Sequence, residues 1–146
     1  MAFGKLMQGL AGNFSEQNVD QLSKEYGQYL LEGEVIQSGY TLIRDSILFT
    51  NIRIIFTDKQ GATGRKMSVK SIFLMNIVDV DMETAGAGID DSEITITYLD
   101  NAFLKAHNEF PKKHKFEFPK KADIAPLYKY LFELAYNNRL KINGLI

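Results

Sequence analysis

The spacing of apolar residues along the chain changes from helical to strand-like near Gly33. Four apolar residues before this point have helical spacing and lie on one face of a helix: Val19, Leu22, Tyr26 and Leu30. Ser15 is a residue type that caps helix N-termini. The pattern therefore predicts a helix over residues 15–31.

The residues that follow predict seven strands within 34–118. The first two strands, about 34–42 and 46–50, are rich in β-branched, aromatic and leucine residues. In the other five, apolar residues recur at every second position, which gives each strand one apolar face. These apolar positions are Ile52, Ile54, Phe56, Met67, Val69, Val78, Val80, Met82, Ile94, Ile96, Tyr98, Phe116 and Phe118. Because no helix-length pattern separates the strands, consecutive antiparallel pairing is expected.

A second helix is predicted over 123–138, followed by a tail at 139–146. Its apolar stripe consists of Ile124, Leu127, Tyr128, Leu131, Leu134 and Ala135. Seven antiparallel strands form a strongly bent sheet or two packed sheets, and one amphipathic helix can cover the open corner. The fold class is therefore mainly β, with a helix at each end of the strands.

Length and composition predict one domain over 15–138, preceded by an N-terminal arm over 1–14. The arm has a short helical stripe but no uninterrupted apolar run of the kind found in signal peptides. The absence of cysteine excludes disulfides, thiolate metal sites and a cysteine nucleophile. The net charge of −1 gives no indication of nucleic-acid binding. The expected compartment is the cytoplasm.

The segment from Asp58 to Arg65 joins two predicted strands and contains Gly61 and Gly64. A phosphate-binding P-loop needs a different glycine spacing and a helix after the loop, whose N–H groups bind the phosphate. Here a strand follows instead. The glycines therefore predict a hairpin turn with positive φ angles.

The motifs "TNIR", "DKQGATGRK", "SI" and "METAG", with "DDSE" after them, resemble the bacterial pleckstrin-homology domain family. The matching positions are Thr50, Asn51, Arg53, Asp58, Gln60, Gly61, Thr63, Gly64, Lys66, Ser71, Ile72, Glu83, Thr84, Ala85, Gly86, Asp90 and Glu93. The likeness covers residues ~5–99 well and the C-terminal helix loosely. Two departures are Phe73, where the family has proline, and a longer connection at 100–113.

The resemblance implies a bent seven-stranded antiparallel barrel of the pleckstrin-homology type, capped by the C-terminal helix and without enzyme activity. It also implies cyclic homo-oligomeric rings, with a polar protein-binding surface where neighbouring barrels meet. The expected partners are thus further copies of this chain and an unidentified protein. No cofactor is expected. An enzymatic or small-molecule-binding barrel is a further hypothesis, and no set of catalytic residues supports it.

The predicted binding surface consists of the polar motif residues that turn geometry does not fully explain: Asp58, Gln60, Thr63, Lys66, Glu83, Thr84 and Asp90. The alternative function is peripheral binding to anionic lipid through basic residues. Those residues are Lys59, Arg65, Lys105, Lys112 and Lys113, with Phe103 and Phe110 nearby. The acidic residues around Glu83 follow strand spacing, which spreads carboxylates apart, so no metal site is predicted.

Overall fold

The fold is given by a computed structural model of the chain. It describes residues 19–41, 45–61, 63, 65–86, 91–120 and 122–146. The predicted N-terminal arm, the Ser15 cap, Gly64 and Asp90 lie outside the described residues. The chain divides after Phe73 into two compact units.

The first unit holds a helix and a four-stranded antiparallel sheet. Its elements are α1 (Val19–Tyr26), β1 (Ile36–Thr41), β2 (Asp45–Thr50), β3 (Arg53–Gln60) and β4 (Lys66–Phe73). The strands lie in sequence order, as short hairpin connections favour. The helix ends earlier than the predicted residue 31, because Gly27–Tyr29 forms a 3-10 turn.

Helix α1 packs on one face of this sheet. Its Leu22 and Tyr26 are buried against three strand residues: Ile36, Leu48 and Ile55. A Cβ atom on Gly39 would lie 2.6 Å from Leu22 Cδ1 and 2.8 Å from Leu48 Cδ2. Glycine at this position therefore allows the helix to approach the sheet closely.

The second unit holds a three-stranded antiparallel sheet and the C-terminal helix. Its elements are β5 (Ile77–Glu83), β6 (Ser92–Leu99), β7 (Pro111–Phe118) and α2 (Ala125–Ile142). Alternate residues of β6 are buried, as its apolar–polar pattern predicted. The described residues thus form seven antiparallel strands with a helix before and after them, and the predicted mainly β class is confirmed.

Helix α2 packs on β5, an edge strand of the second sheet. Leu127, Leu131 and Ala135 are buried along its inner face. Asn138 continues this face and donates through Nδ2 to the carbonyl oxygens of Leu74 (2.7 Å) and Ile77 (2.8 Å). The helix therefore satisfies backbone acceptors beside the edge strand as well as burying apolar surface.

Two further predicted boundaries were wrong. The helix does not end at 138, since Asn138 is a buried hydrogen-bonding residue and α2 continues to Ile142. Strand β7 is longer than predicted and starts at Pro111, so Lys112 and Lys113 belong to the strand rather than to an Asn101–Lys113 insertion. The shorter connection is closed by the Asn101 side chain, which bonds Asn108 O and Phe110 N.

Candidate functional site

The hairpin between β3 and β4 presents a polar, exposed tip, here called the hairpin tip (residues 58–66). Gln60 pairs with Lys66 at the last step of the ladder, and Gly61 follows with φ of +79°. The predicted hairpin and the positive φ at Gly61 are both confirmed. Thr63 and Lys66 are exposed, and their side chains bond no other described residue.

Asp58 lies in β3 at the base of this tip, directly opposite Asp45 of β2. Partial burial, followed by the hydrogen bond and the negative charge of Asp58, raises the pKa of Asp45 above its usual value. Asp58 also accepts a hydrogen bond from Gln60 Nε2 at 3.2 Å. The hairpin tip therefore has an acidic residue where it joins the sheet and basic residues further out.

Glu83 and Thr84, the other described residues of the predicted surface, lie in the second unit at the end of β5. Both are exposed, and Glu83 lies opposite Glu93 of β6. After them, Ala85 N donates to Ser92 Oγ at 3.2 Å, which ties the start of the loop to β6. Glu83 forms no ion pair with any described residue, so its charge remains available to a partner.

On the open face of the second sheet, one edge strand carries acidic residues and the other carries lysines. Acidic Asp81 and Glu83 lie on β5, whereas Lys113 and Lys115 lie on β7. Lys115 Nζ lies 3.3 Å from Glu93 and 3.7 Å from Glu117, and the Glu93 contact raises the pKa of the lysine. An open depression of about 520 Å³ on this face is lined by Asp81, Met82, Glu83, Glu93, Thr95 and Lys113.

The basic residues of the lipid alternative are spread over both units. Lys59 pairs with Glu25 at 3.5 Å, whereas Arg65 is exposed and bonds no described residue. In the second unit, Lys112 pairs with Asp100, and this hydrogen-bonded contact raises the pKa of Lys112. Lys105 and Lys113 are exposed and unpaired within the described part of the chain. Two of the five are therefore already engaged by carboxylates.

A hydrogen-bonded group whose members the sequence did not connect is centred on the half-buried Arg53. Arg53 Nε donates to both carboxylate oxygens of Glu34 at 3.1 and 2.9 Å, and Nη1 donates to Ser71 Oγ at 2.8 Å. The Glu34 side chain is fully buried, and the hydrogen bonds and charge of Arg53 hold its pKa below the usual value.

The β2–β3 turn completes this group. Thr50 Oγ1 accepts the N–H of Arg53 at 2.9 Å, and Asn51 Oδ1 accepts the N–H of Val35 at 2.8 Å. We refer to Glu34, Thr50, Asn51, Arg53 and Ser71 as the Arg53 network. Four of its members belong to the motifs quoted above, and their bonds hold the turn to the segment before β1. These motif residues thus have a structural role.

The described residues were compared with the patterns of a metal-ligand cluster and of a membrane-spanning helix. Within them, no three His, Asp or Glu side chains are grouped so as to hold a metal ion. No helix among them is both long and apolar enough to cross a bilayer.

Comparison with known proteins places the chain in a family. A model described as the bacterial PH domain matches residues 5–135. The uncharacterised protein YjqA of Bacillus subtilis (strain 168) is 40% identical over 105 residues, covering 72% of this chain and 83% of YjqA.

Solved structures with pleckstrin-homology domains resemble it as well. One from Shewanella loihica PV-4 is 31% identical with a TM-score of 0.65, covering 84% of this chain and 97% of its own. One from Shewanella amazonensis SB2B is 32% identical with a TM-score of 0.60, covering 88% and 97%. These matches span both units. The chain belongs to the bacterial pleckstrin-homology domain family.

Proposed function

We propose that this protein is a cytoplasmic interaction module without catalytic activity, which forms a cyclic homo-oligomer and binds another protein. The proposed binding surface has one part in each unit: the hairpin tip in the first and the start of the loop after β5 in the second. Family membership supports the ring, because the family resemblance implies cyclic assembly. A ring repeats one weak site and gains avidity when a multivalent partner engages several copies.

One observation carries the assignment of the surface: four of its motif residues have no evident structural role. Thr63, Lys66, Glu83 and Thr84 are exposed, and their side chains form no hydrogen bond or ion pair with described residues. The side chains of the Arg53 network's motif residues, in contrast, all form hydrogen bonds with other described residues. Residues that fit the family pattern without serving the fold are the best candidates for contact with a partner.

Partner capture tests this surface. The double variant Gln60→Ala/Glu83→Ala should fold normally and retain little of the partner that the unchanged protein captures, once that partner has been identified and purified. The control Gln28→Ala/Glu133→Ala removes the same two side-chain types from exposed positions elsewhere and should bind normally. Equal binding by the two double variants would refute the assignment.

Light scattering tests the ring separately. We expect one discrete species that contains several subunits at tens of micromolar protein. A monomer at every concentration would refute ring formation, whatever the capture experiment shows.

Peripheral membrane binding is a second candidate, favoured by the exposed aromatic residues beside the basic ones. Phe103 is 81% exposed and Phe110 is 61% exposed, in the connection that also carries Lys105. Aromatic side chains can enter a lipid interface while lysines bind anionic headgroups, at ~1 kcal/mol per lysine.

Vesicle sedimentation decides this second candidate. Binding to phosphatidylserine-containing vesicles, but not to phosphatidylcholine alone, should be weakened by Lys105→Ala/Lys113→Ala. The control Lys24→Ala/Lys129→Ala removes two exposed lysines from the helices and should leave it unchanged. Equal sedimentation with both lipids, or none with either, argues against lipid recognition.

A further inference from the structure

The four edge strands of the two sheets are protected to very different degrees against pairing with a further strand. Strand β1 has a register shift between Ile36 and Ser38, and α1 packs beside it. Beside β5, backbone carbonyls accept hydrogen bonds from α2. Strand β7 begins with Pro111 and continues with lysines. Bulges, coverage, proline and charge are the usual means of preventing unwanted strand pairing.

Strand β4 carries two lysines, but within the described residues it lacks a bulge, a proline and a strand neighbour on its outer side. Its register with β3 is unbroken from Gln60↔Lys66 to Arg53↔Phe73, so its backbone is regular along eight residues. A regular edge of this length offers a row of backbone donors and acceptors to another strand.

The side chains of β4 make this edge apolar on one face. Val69 is 40% exposed and Phe73 is 44% exposed, while Met67 on the same face is partly buried against the α1 core. Alternate positions on the other face carry Lys66, Ser68 and Lys70. An added strand would therefore cover apolar surface as well as complete a hydrogen-bond ladder.

We propose that β4 pairs antiparallel with β4 of a second copy of this chain, about a two-fold axis at Val69. In that register Val69 lies opposite its own copy, Met67 lies opposite Ser71, and Arg65 lies opposite Phe73. The valines extend the apolar face across the junction, and each arginine can stack on an aromatic ring. The strand is thus complementary to itself, which is what an isologous contact requires.

The two lysines select this register over its neighbours. A two-fold axis at Lys70 would place that lysine opposite its own copy, and an axis at Ser68 would place Lys66 opposite Lys70. The axis at Val69 places Lys66 opposite Ile72 and Lys70 opposite Ser68. Because like charges directly opposite each other are destabilising, the Val69 register is preferred.

This contact goes beyond the proposed ring and does not depend on it. A ring needs a head-to-tail contact between two different surfaces, whereas the β4 contact joins two identical surfaces. On its own the β4 contact gives a dimer. Together with a ring it joins two rings into one particle of dihedral symmetry only if its two-fold axis crosses the ring axis at a right angle.

Disulfide trapping tests the register directly, since the chain has no cysteine. Opposed Cα atoms in an antiparallel pair lie about 4.5–5.5 Å apart, within the range that a disulfide spans. Val69→Cys should therefore form a covalent dimer under mild oxidation. The control Lys113→Cys, at an exposed position of β7, should do so at least about tenfold more slowly, because nothing holds its thiols together.

A pair of further variants checks the alignment. Neither Met67→Cys nor Ser71→Cys should cross-link alone, whereas the double variant should, because these positions face each other across the axis. Cross-linking of Val69→Cys no faster than of Lys113→Cys would overturn the proposal. So would equal cross-linking at 67, 69 and 71.

A mutation that places like charges at the axis gives an independent measurement. Val69→Lys should halve the sedimentation mass of the assembly, while Val35→Lys, at a valine that is 55% exposed in the same unit, should leave it unchanged. An unchanged mass for Val69→Lys, with the fold verified by thermal melting, would refute the β4 contact. The proposal would also be refuted if the unsubstituted protein were a monomer that binds an extended peptide of another protein along this edge.

Discussion

The Arg53 network and the hairpin tip both carry residues of the family motifs, yet these residues have different environments. In the Arg53 network, Glu34 and Arg53 are joined by three short N–H···O contacts, and the Glu34 side chain is fully buried. In the hairpin tip, Thr63 and Lys66 are exposed and bond no described residue. Motif residues thus divide into those that the fold requires and those that it leaves available for binding.

The largest expected effect comes from breaking the buried ion pair. Arg53→Ala leaves the Glu34 carboxylate buried without its cation, which should lower the free energy of unfolding by about 3–5 kcal/mol. Urea denaturation measures this loss. Arg65→Ala, at an exposed arginine of the hairpin tip, should change stability by less than about 0.5 kcal/mol.

Equal losses for the two arginine variants would contradict the distinction between the regions. A small loss for both would show that the Glu34–Arg53 pair contributes little net stability.

The pH dependence of stability should reveal the same pair. Because the pKa of Glu34 is lower in the folded state than its ordinary value of 4.5, its contribution is fully present above that value. It should be lost as pH falls below 4.5 and through the lower folded pKa. Glu34→Gln should therefore flatten the acid side of the stability profile.

Asp45 is an internal control, because its ionisation changes the stability of the fold in the opposite direction to that of Glu34. Its pKa is raised in the folded state, so its ionisation above that pKa destabilises the fold. Asp45→Asn should remove this cost at neutral pH and raise stability there. A loss of stability at pH 7 in Asp45→Asn would contradict the effect of the opposed Asp58.

The next effect concerns neighbouring asparagines in α2. Asn138→Ala removes the donor to two backbone carbonyls and should cost about 1–3 kcal/mol, because buried acceptors lose their partner. Asn137→Ala, at an exposed position of the same helix, should be neutral or slightly stabilising, since alanine is the better helix former. Thermal melting of the two variants measures the difference, and equal melting temperatures would exclude a structural role for Asn138.

A backbone effect is expected within the hairpin tip itself. Gly61→Val forces a β-branched residue to φ of +79° and should cost about 1–3 kcal/mol. Gly27→Val is the matched control, because φ there is not positive and an added Cβ meets no atom within 4 Å. Unchanged stability of Gly61→Val, together with lost binding of a phosphorylated compound, would overturn the interpretation of this glycine as a turn residue.

The sequence predicted the strands well where apolar and polar residues alternate. It failed at the start of β7, because Pro111, Lys112 and Lys113 have no apolar residue to mark one face. It also failed at the end of α2, where Asn138 resembles a helix-ending residue but is buried and bonded. In both places, tertiary contacts decide the boundary and local preference does not.

The candidate site was predictable only in part. The hairpin and its turn follow from local sequence. The Arg53 network does not, since Glu34 and Arg53 lie 19 positions apart and nothing local indicates that they meet. The sequence alone does not distinguish motif residues that are bonded within the fold from those that are exposed. The structure makes this distinction.

Equilibrium unfolding of two double variants tests the division of the motif residues most directly. Thr50→Ala/Arg53→Ala removes two members of the Arg53 network, and Gln60→Ala/Lys66→Ala removes two residues of the hairpin tip. We predict a loss of at least about 3 kcal/mol for the first and less than about 1 kcal/mol for the second. A loss in the hairpin-tip variant as large as that in the Arg53 network variant would contradict the assignment of the tip to binding.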